Sequence, residues 1–130
     1  LRATLEVRSD CAQPVCDAFT PSAFSLGILY NLKKTQELLE RTNANNTVTQ
    51  LRNAVINARP LKLPKRRLLD FVEIADEGLR KRKKGEEKLL LPLFNRAEQN
   101  DCPAKQTLSR LKKGENIEKI ILDYSDIKSV

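Results

Sequence analysis

Hydrophobic and polar positions change rhythm along the chain. Arg2 to Ser9 alternate, with Ala3, Leu5 and Val7 on one side and Arg2, Thr4, Glu6 and Arg8 on the other. That is the period of a half-buried β-strand. One strand cannot satisfy its own backbone donors and acceptors, so this reading demands partner strands. No other segment reads as one. From Thr20 the period becomes helical. "TPSAFSLGILYNLKKTQELLERT" predicts a helix, with Thr20 as N-cap and Pro21 in the first turn, where its missing N–H costs nothing. Its first half is apolar nearly all round, which predicts burial. Gly27 within it costs about 1 kcal/mol of propensity against Ala, so its presence predicts close packing against another backbone.

Val48 to Ala58 predicts a shorter helix ahead of Pro60, and "ARPLKLPKRR" an irregular basic stretch. Lys65 to Lys83 is strongly amphipathic: Leu68, Val72, Ala75 and Leu79 fall at i, i+4, i+7 and i+11. Gly85 ends it. A short extended piece is expected before Pro92, then a helical turn. Asp101 is placed to cap a helix from Pro103, and Glu115 to Tyr124 predicts the last helix. The expectation is therefore one unit over residues 1–130 of the α+β class, a strand at 2–9 followed by helices from about residue 21.

Composition narrows the chemistry. The 130 residues are 40% apolar and 32% charged, enough for a modest core beneath a solvated surface. No stretch is long and apolar enough to span a bilayer, and Leu1 to Val7 does not read as a secretory signal, so a cytoplasmic protein is expected. There is no histidine. The commonest general base and metal ligand is thus missing, and acid–base or metal chemistry falls to carboxylates. Three cysteines, Cys11, Cys16 and Cys102, show no zinc spacing and no secreted disulfide framework. Ordinary reduced thiols are the expectation for them.

The net charge of +7 favours anionic partners. The run Arg80 to Lys84 could grip nucleic-acid phosphates. Cations at a helix C-terminus also complement its dipole, however, and Asp76, Glu77, Glu86 and Glu87 flank the run. Aromatic residues for base stacking are absent from it, so nucleic acid is the lesser reading.

Glu6 and Arg8 differ from these. Strand residues two apart lie roughly 6.5–7 Å from one another on one face. That spacing suits an ordinary polar face with cross-strand ion pairs. It also suits two groups converging on a third: a carboxylate for Mg²⁺ and a guanidinium fork for a phosphoryl oxygen.

The order of stretches along the chain resembles the C-terminal part of glutamate–cysteine ligases of the plant-type and bacterial "family 2" group. "RATLEVRSDCAQP" is similar to an R-x-L-E-x-R strand motif with its following loop. "TPSAFSLGILYNL" is similar to the next segment. "LRNAVINARPLK" matches loosely, with Pro60 or Leu61 where Gly-Leu is common. "IADEGLRKRKKGEEKLLLPLFNRAEQNDCPAKQTL" resembles A-x-x-G-L-x-x-R-G-x-G-E-E-x-F-L-x-P-L and the helix start beyond it.

This resemblance implies an ATP- and Mg²⁺-dependent ligase that phosphorylates the γ-carboxylate of glutamate. The amine of cysteine then displaces phosphate to give γ-glutamylcysteine, the first step of glutathione synthesis. It implies Glu6 as a Mg²⁺ ligand and Arg8 as the contact to the transferring phosphate. It implies a curved antiparallel sheet of the glutamine-synthetase-like kind, to which this chain contributes one strand and a helical wall. The family's other metal carboxylates lie on strands further toward the N-terminus. The remaining site is therefore expected from a preceding part of the same enzyme or from a partner chain, and these residues alone are expected to be inactive. The alternatives are a non-catalytic helical interaction unit that kept the fold, a basic nucleic-acid-binding module, and a related ligase joining glutamate to another amine.

Overall fold

A computed structural model describes residues 13–42, 49, 52, 65–99 and 101–126. A short 3-10 turn, Val15–Asp17, leads into α1 (Thr20–Leu29) and α2 (Leu32–Arg41). The long α3 (Lys65–Arg82) follows, then a 3-10 turn at Glu86–Leu90 and α4 (Leu91–Gln99). Two further helices, α5 (Pro103–Lys112) and α6 (Ile117–Ser125), complete the order. Of the described residues 82% are helical and none is in a strand. The α+β class is therefore corrected to a helical one across these residues. The physical reason is that the helices from Leu32 onward are amphipathic with apolar positions three and four apart, while Thr20–Leu29 is apolar nearly all round and buried in part against them. The strand expected at 2–9, with Glu6 and Arg8, lies outside the described residues. So do the "ARPLK" stretch and most of the helix expected at Val48 to Ala58.

The core forms where α1 crosses α3. Ala23, Val72, Ala75, Leu79 and Leu90 are buried together, and Phe24, Leu26, Ile28, Leu93 and Phe94 pack around them. The crossing depends on glycine. A Cβ built on Gly27 would stand 2.3 Å from the Ala75 carbonyl oxygen, and one on Gly78 would stand 2.0 Å from the Gly27 carbonyl oxygen. The two backbones touch with no room for a methyl group between them. The burial pattern of α3 follows its sequence period: Val72, Ala75 and Leu79 are buried, and Leu68 is half-buried at the helix's first turns.

Five local expectations are corrected. The single helix expected from Thr20 to Thr42 breaks at Tyr30 and Asn31. Asn31 leaves helical geometry (φ −134°, ψ 38°) and turns its side chain onto α3. Thr20 is not a cap. It is the first residue of α1 and is buried, which takes its hydroxyl out of the capping position. The extended piece before Pro92 is a 3-10 turn, whose end Leu90 is drawn fully into the core. Asp101 does not cap α5 either; Cys102 occupies that position, and Asp101 accepts a hydrogen bond from Gln106 Nε2 at 2.8 Å. The last helix begins two residues later than its period suggested, because Asn116 caps it, its side chain accepting from the Glu118 amide at 2.8 Å. Beyond α3 the chain reverses through Lys83 (φ 56°) and Gly85 (φ 74°). These left-handed residues end the helix where the sequence places a glycine.

Candidate functional site

Three polar clusters stand out, and the first two join residues far apart in sequence. The first lies on the chain immediately after residue 12. Arg96 on α4 donates through Nη1 to Gln13 Oε1 at 2.6 Å and through Nη2 to the Asp17 carboxylate. Its side chain is 14% exposed and that of Asp17 18%. The guanidinium fork therefore spans the whole Gln13–Asp17 turn, with little solvent to compete. Pro14 stands between the two anchors with φ −52° and ψ 148°, turning the chain from extended geometry into the 3-10 turn. Helix α6 also contacts that turn.

The second cluster centres on Asn31, which is 5% exposed. Its Nδ2 donates to the Ile74 carbonyl at 3.1 Å and to Glu77 Oε2 at 3.2 Å, and its Oδ1 accepts from Lys81 Nζ at 2.7 Å. Lys34 completes the group through an ion pair with Glu77. The hydrogen bond from Lys34 is the main cause holding the Glu77 carboxyl below its ordinary value. Burial opposes it, and Asn31 and then Lys81 add to the lowering.

The third cluster disposes of the basic run. Arg80 Nε donates to Asp76 at 2.6 Å and Arg82 Nε to Glu86 at 2.6 Å, each one helical turn away. The Arg82 guanidinium also lies 4.5 Å from the centre of the Tyr30 ring. Asp76 and Glu86 thus pair with Arg80 and Arg82 within the fold, and the neutral Asn31 amide oxygen accepts a hydrogen bond from Lys81. Exposed pairs of this kind are individually weak; they engage Arg80 and Arg82 with carboxylates one turn away.

Glu6 and Arg8, the residues that the sequence singles out for metal and phosphate, lie outside the described residues, as does Cys11. Among the described residues no group of three His, Cys, Asp or Glu side chains is placed to hold a metal ion. No buried side-chain polar atom among them lacks a partner. Cys16 and Cys102 are free and exposed. Desolvation, then the neighbouring Asp17 carboxylate, pushes the Cys16 thiol above its ordinary value. That is the opposite of what an activated nucleophile needs. An open depression of about 460 Å³ is lined by Gln99, Asp101, Lys105, Gln106, Ser109 and Arg110. Its Arg110 is committed to Glu115 and Asp123, and its Asp101 to Gln106.

Sequence patterning missed Asn31 and the Arg96 fork. Asn31 reads as an ordinary polar residue inside a helical pattern. Arg96 reads as one more cation, because its partners stand 83 and 79 residues away. The only sequence signal for the turn is Gln13-Pro14, which the family resemblance quotes for other reasons. No family model, no curated protein and no solved structure matches the chain.

Proposed function

We propose that the chain is part of an ATP- and Mg²⁺-dependent ligase that joins glutamate to cysteine, with Glu6 serving the metal and Arg8 the transferring phosphate. The observation that carries this reading is that stretches bearing the family resemblance pack on one another. Gly27 of "TPSAFSLGILYNL" lies against Ala75 and Gly78 of "IADEGLRKR". Gln13 of "RATLEVRSDCAQP" is held by Arg96 of "LPLFNRAEQ".

The chemistry suits the residue inventory. A γ-carboxylate oxygen of glutamate attacks the terminal phosphorus of ATP, and the bond to ADP breaks. The amine of cysteine then attacks the acyl carbon, phosphate leaves and the amine gives up a proton. The first step needs charge neutralisation and a positioned cation more than a strong base. A chain without histidine can contribute to that. Bound Mg²⁺ would supply charge neutralisation between the phosphates. Glu6 is the one ligand this reading takes from the chain, with further carboxylates outside it. Arg8 would hold a phosphoryl oxygen with two parallel N–H donors, a geometry lysine cannot reproduce.

The test is ATP-dependent γ-glutamylcysteine formation by the complete polypeptide, compared with Arg8→Lys and Glu6→Gln. Arg8→Lys is expected to lower kcat with little change in KM. Glu6→Gln is expected to raise the Mg²⁺ concentration needed for half-maximal rate. Unchanged kinetics in both variants would remove this segment from the site and leave a non-catalytic helical unit.

A further inference from the structure

The hairpin of α5 and α6 buries one side in the fold and exposes a second apolar side. Ile120 is 1% exposed, whereas Ile117 and Ile121 on the same helix are 47% and 56% exposed. On α5, Leu108 and Leu111 are 58% and 39% exposed. Two contacts fix how the helices face each other. The Thr107 hydroxyl bonds the Tyr124 hydroxyl at 3.1 Å, and Arg110 pairs with Asp123. At about 100° per residue, Leu108 and Leu111 stand beyond Thr107, round α5 in the direction leading away from Arg110. Ile117 and Ile121 stand beyond Tyr124, round α6 in the direction leading away from Asp123. In an antiparallel pair those two directions coincide, so the four side chains share one side of the hairpin.

The edges of this face carry opposite charges. Lys112 lies one turn beyond Leu108 on the outer edge of α5, and Glu118 lies one turn before Ile121 on the outer edge of α6. Both are exposed, and neither side chain has a hydrogen bond or ion pair among the described residues. They stand at the same end of the hairpin, where residues 113–116 join the helices. Lysine on one edge and glutamate on the other does not suit an anionic lipid surface, which would repel Glu118. It suits the same face turned over.

We propose that this face is a self-association surface, on which the hairpin seats against the hairpin of a second copy to form a four-helix bundle. A two-fold contact uses the same patch on both copies. An axis parallel to the helices lays α5 of each copy on α6 of the other, and Lys112 meets Glu118 of the second copy at the same height. An axis across the helices would set lysine edge against lysine edge. The charges therefore select the first arrangement, with an apolar centre between paired edges. Two helices about 15 Å long and roughly 10 Å apart offer on the order of 300 Å² per copy. That is less than half of the ~800 Å² per partner of a standard interface, so the contact is weak and transient, with a dissociation constant on the order of hundreds of micromolar. The inference does not rest on the ligase reading.

The test is sedimentation equilibrium of the complete polypeptide, across concentrations spanning that dissociation constant, for the wild type, Lys112→Glu, Glu118→Lys and an equimolar mixture of the two variants. The wild type is expected to self-associate. Each variant alone sets like charges opposite one another twice, and its dissociation constant should rise roughly tenfold or more. In the mixture both pairs are restored with their signs exchanged, so a one-to-one heterodimer should form with about the wild-type affinity. A monomeric wild type, variants that associate as the wild type does, or a mixture no tighter than its components would overturn the proposal. So would wild type that stays monomeric yet floats with phosphatidylserine vesicles, which would assign the face to a lipid surface.

Discussion

Gly78→Ala should destabilise the fold, although helix propensity alone predicts the reverse. Gly78 lies inside α3, and replacing glycine by alanine within a helix ordinarily gains about 1 kcal/mol. Here the added Cβ would meet the Gly27 carbonyl oxygen at 2.0 Å and its carbonyl carbon at 2.8 Å. Those atoms belong to the backbone of α1 and cannot rotate away. Relief requires α1 and α3 to separate by more than 1 Å or so. That loosens Ala23, Val72, Ala75 and Leu79 at once. Overpacking of this kind typically costs about 1–3 kcal/mol. With both neighbours rigid, the upper end of that range applies. Subtracting the propensity gain leaves a net loss of about 2 kcal/mol. At roughly 4 °C per kcal/mol for a domain of this size, Tm should fall by about 8 °C. The assay is thermal unfolding by circular dichroism, with Ser22→Ala on the exposed side of α1 as the control that gains propensity without contact. A Tm for Gly78→Ala equal to or above the wild type would refute the close crossing.

Leu79→Ala, at a fully buried position, should lower unfolding free energy by about 3 kcal/mol in denaturant titration, with the m-value unchanged. Asn31→Ala should cost about 1–2 kcal/mol by the same measurement, because it removes the bridge from Lys81 to Glu77 and the Ile74 carbonyl. The carboxyls of Glu77, Glu86, Glu115 and Asp101 are all held below their ordinary values, chiefly by hydrogen bonds from Lys34, Arg82, Arg110 and Gln106. A depressed folded pKa contributes stability that is present above the unfolded value and lost as pH falls through the folded one. Tm should therefore stay level near neutrality and decline once pH drops below about 4.5, the ordinary glutamate value. A Tm rising through that window would contradict these pairings.

How far the sequence carries differs from element to element. The long helix α3 is legible because its apolar residues from Leu68 to Leu79 keep one register for about three turns, and Val72, Ala75 and Leu79 are buried accordingly. Gly27 was legible as a site of close approach, because a glycine tolerated inside a helix needs a packing reason. The break at Asn31 was not. Nothing local distinguishes it from a helical asparagine, and its cause is the Ile74 carbonyl 43 residues on. The caps shifted for a related reason: Thr20 and Asp101 are good local caps, but burial of one and a Gln106 bond to the other take them elsewhere. The Arg96 fork is invisible to any local pattern, since it exists only once α4 folds back beside the Gln13–Asp17 turn. The strand at 2–9 rests on alternation alone and lies outside the described residues, which are largely helical and contain no strand. Glu6 and Arg8 rest on alternation and family resemblance, with the geometry of the following turn as their nearest structural anchor.

The proposed acyl-phosphate step at Arg8 is tested most directly by positional isotope exchange. ATP carrying a heavy-oxygen label in the bridge between its last two phosphates is incubated with the complete enzyme, Mg²⁺ and glutamate, with cysteine omitted. Reversible formation of γ-glutamyl phosphate lets the freed terminal phosphate of ADP rotate, so label should scramble into non-bridging positions. That scrambling should require glutamate and fall sharply in Arg8→Lys. Scrambling that ignores glutamate, or that Arg8→Lys leaves at the wild-type rate, would contradict the account.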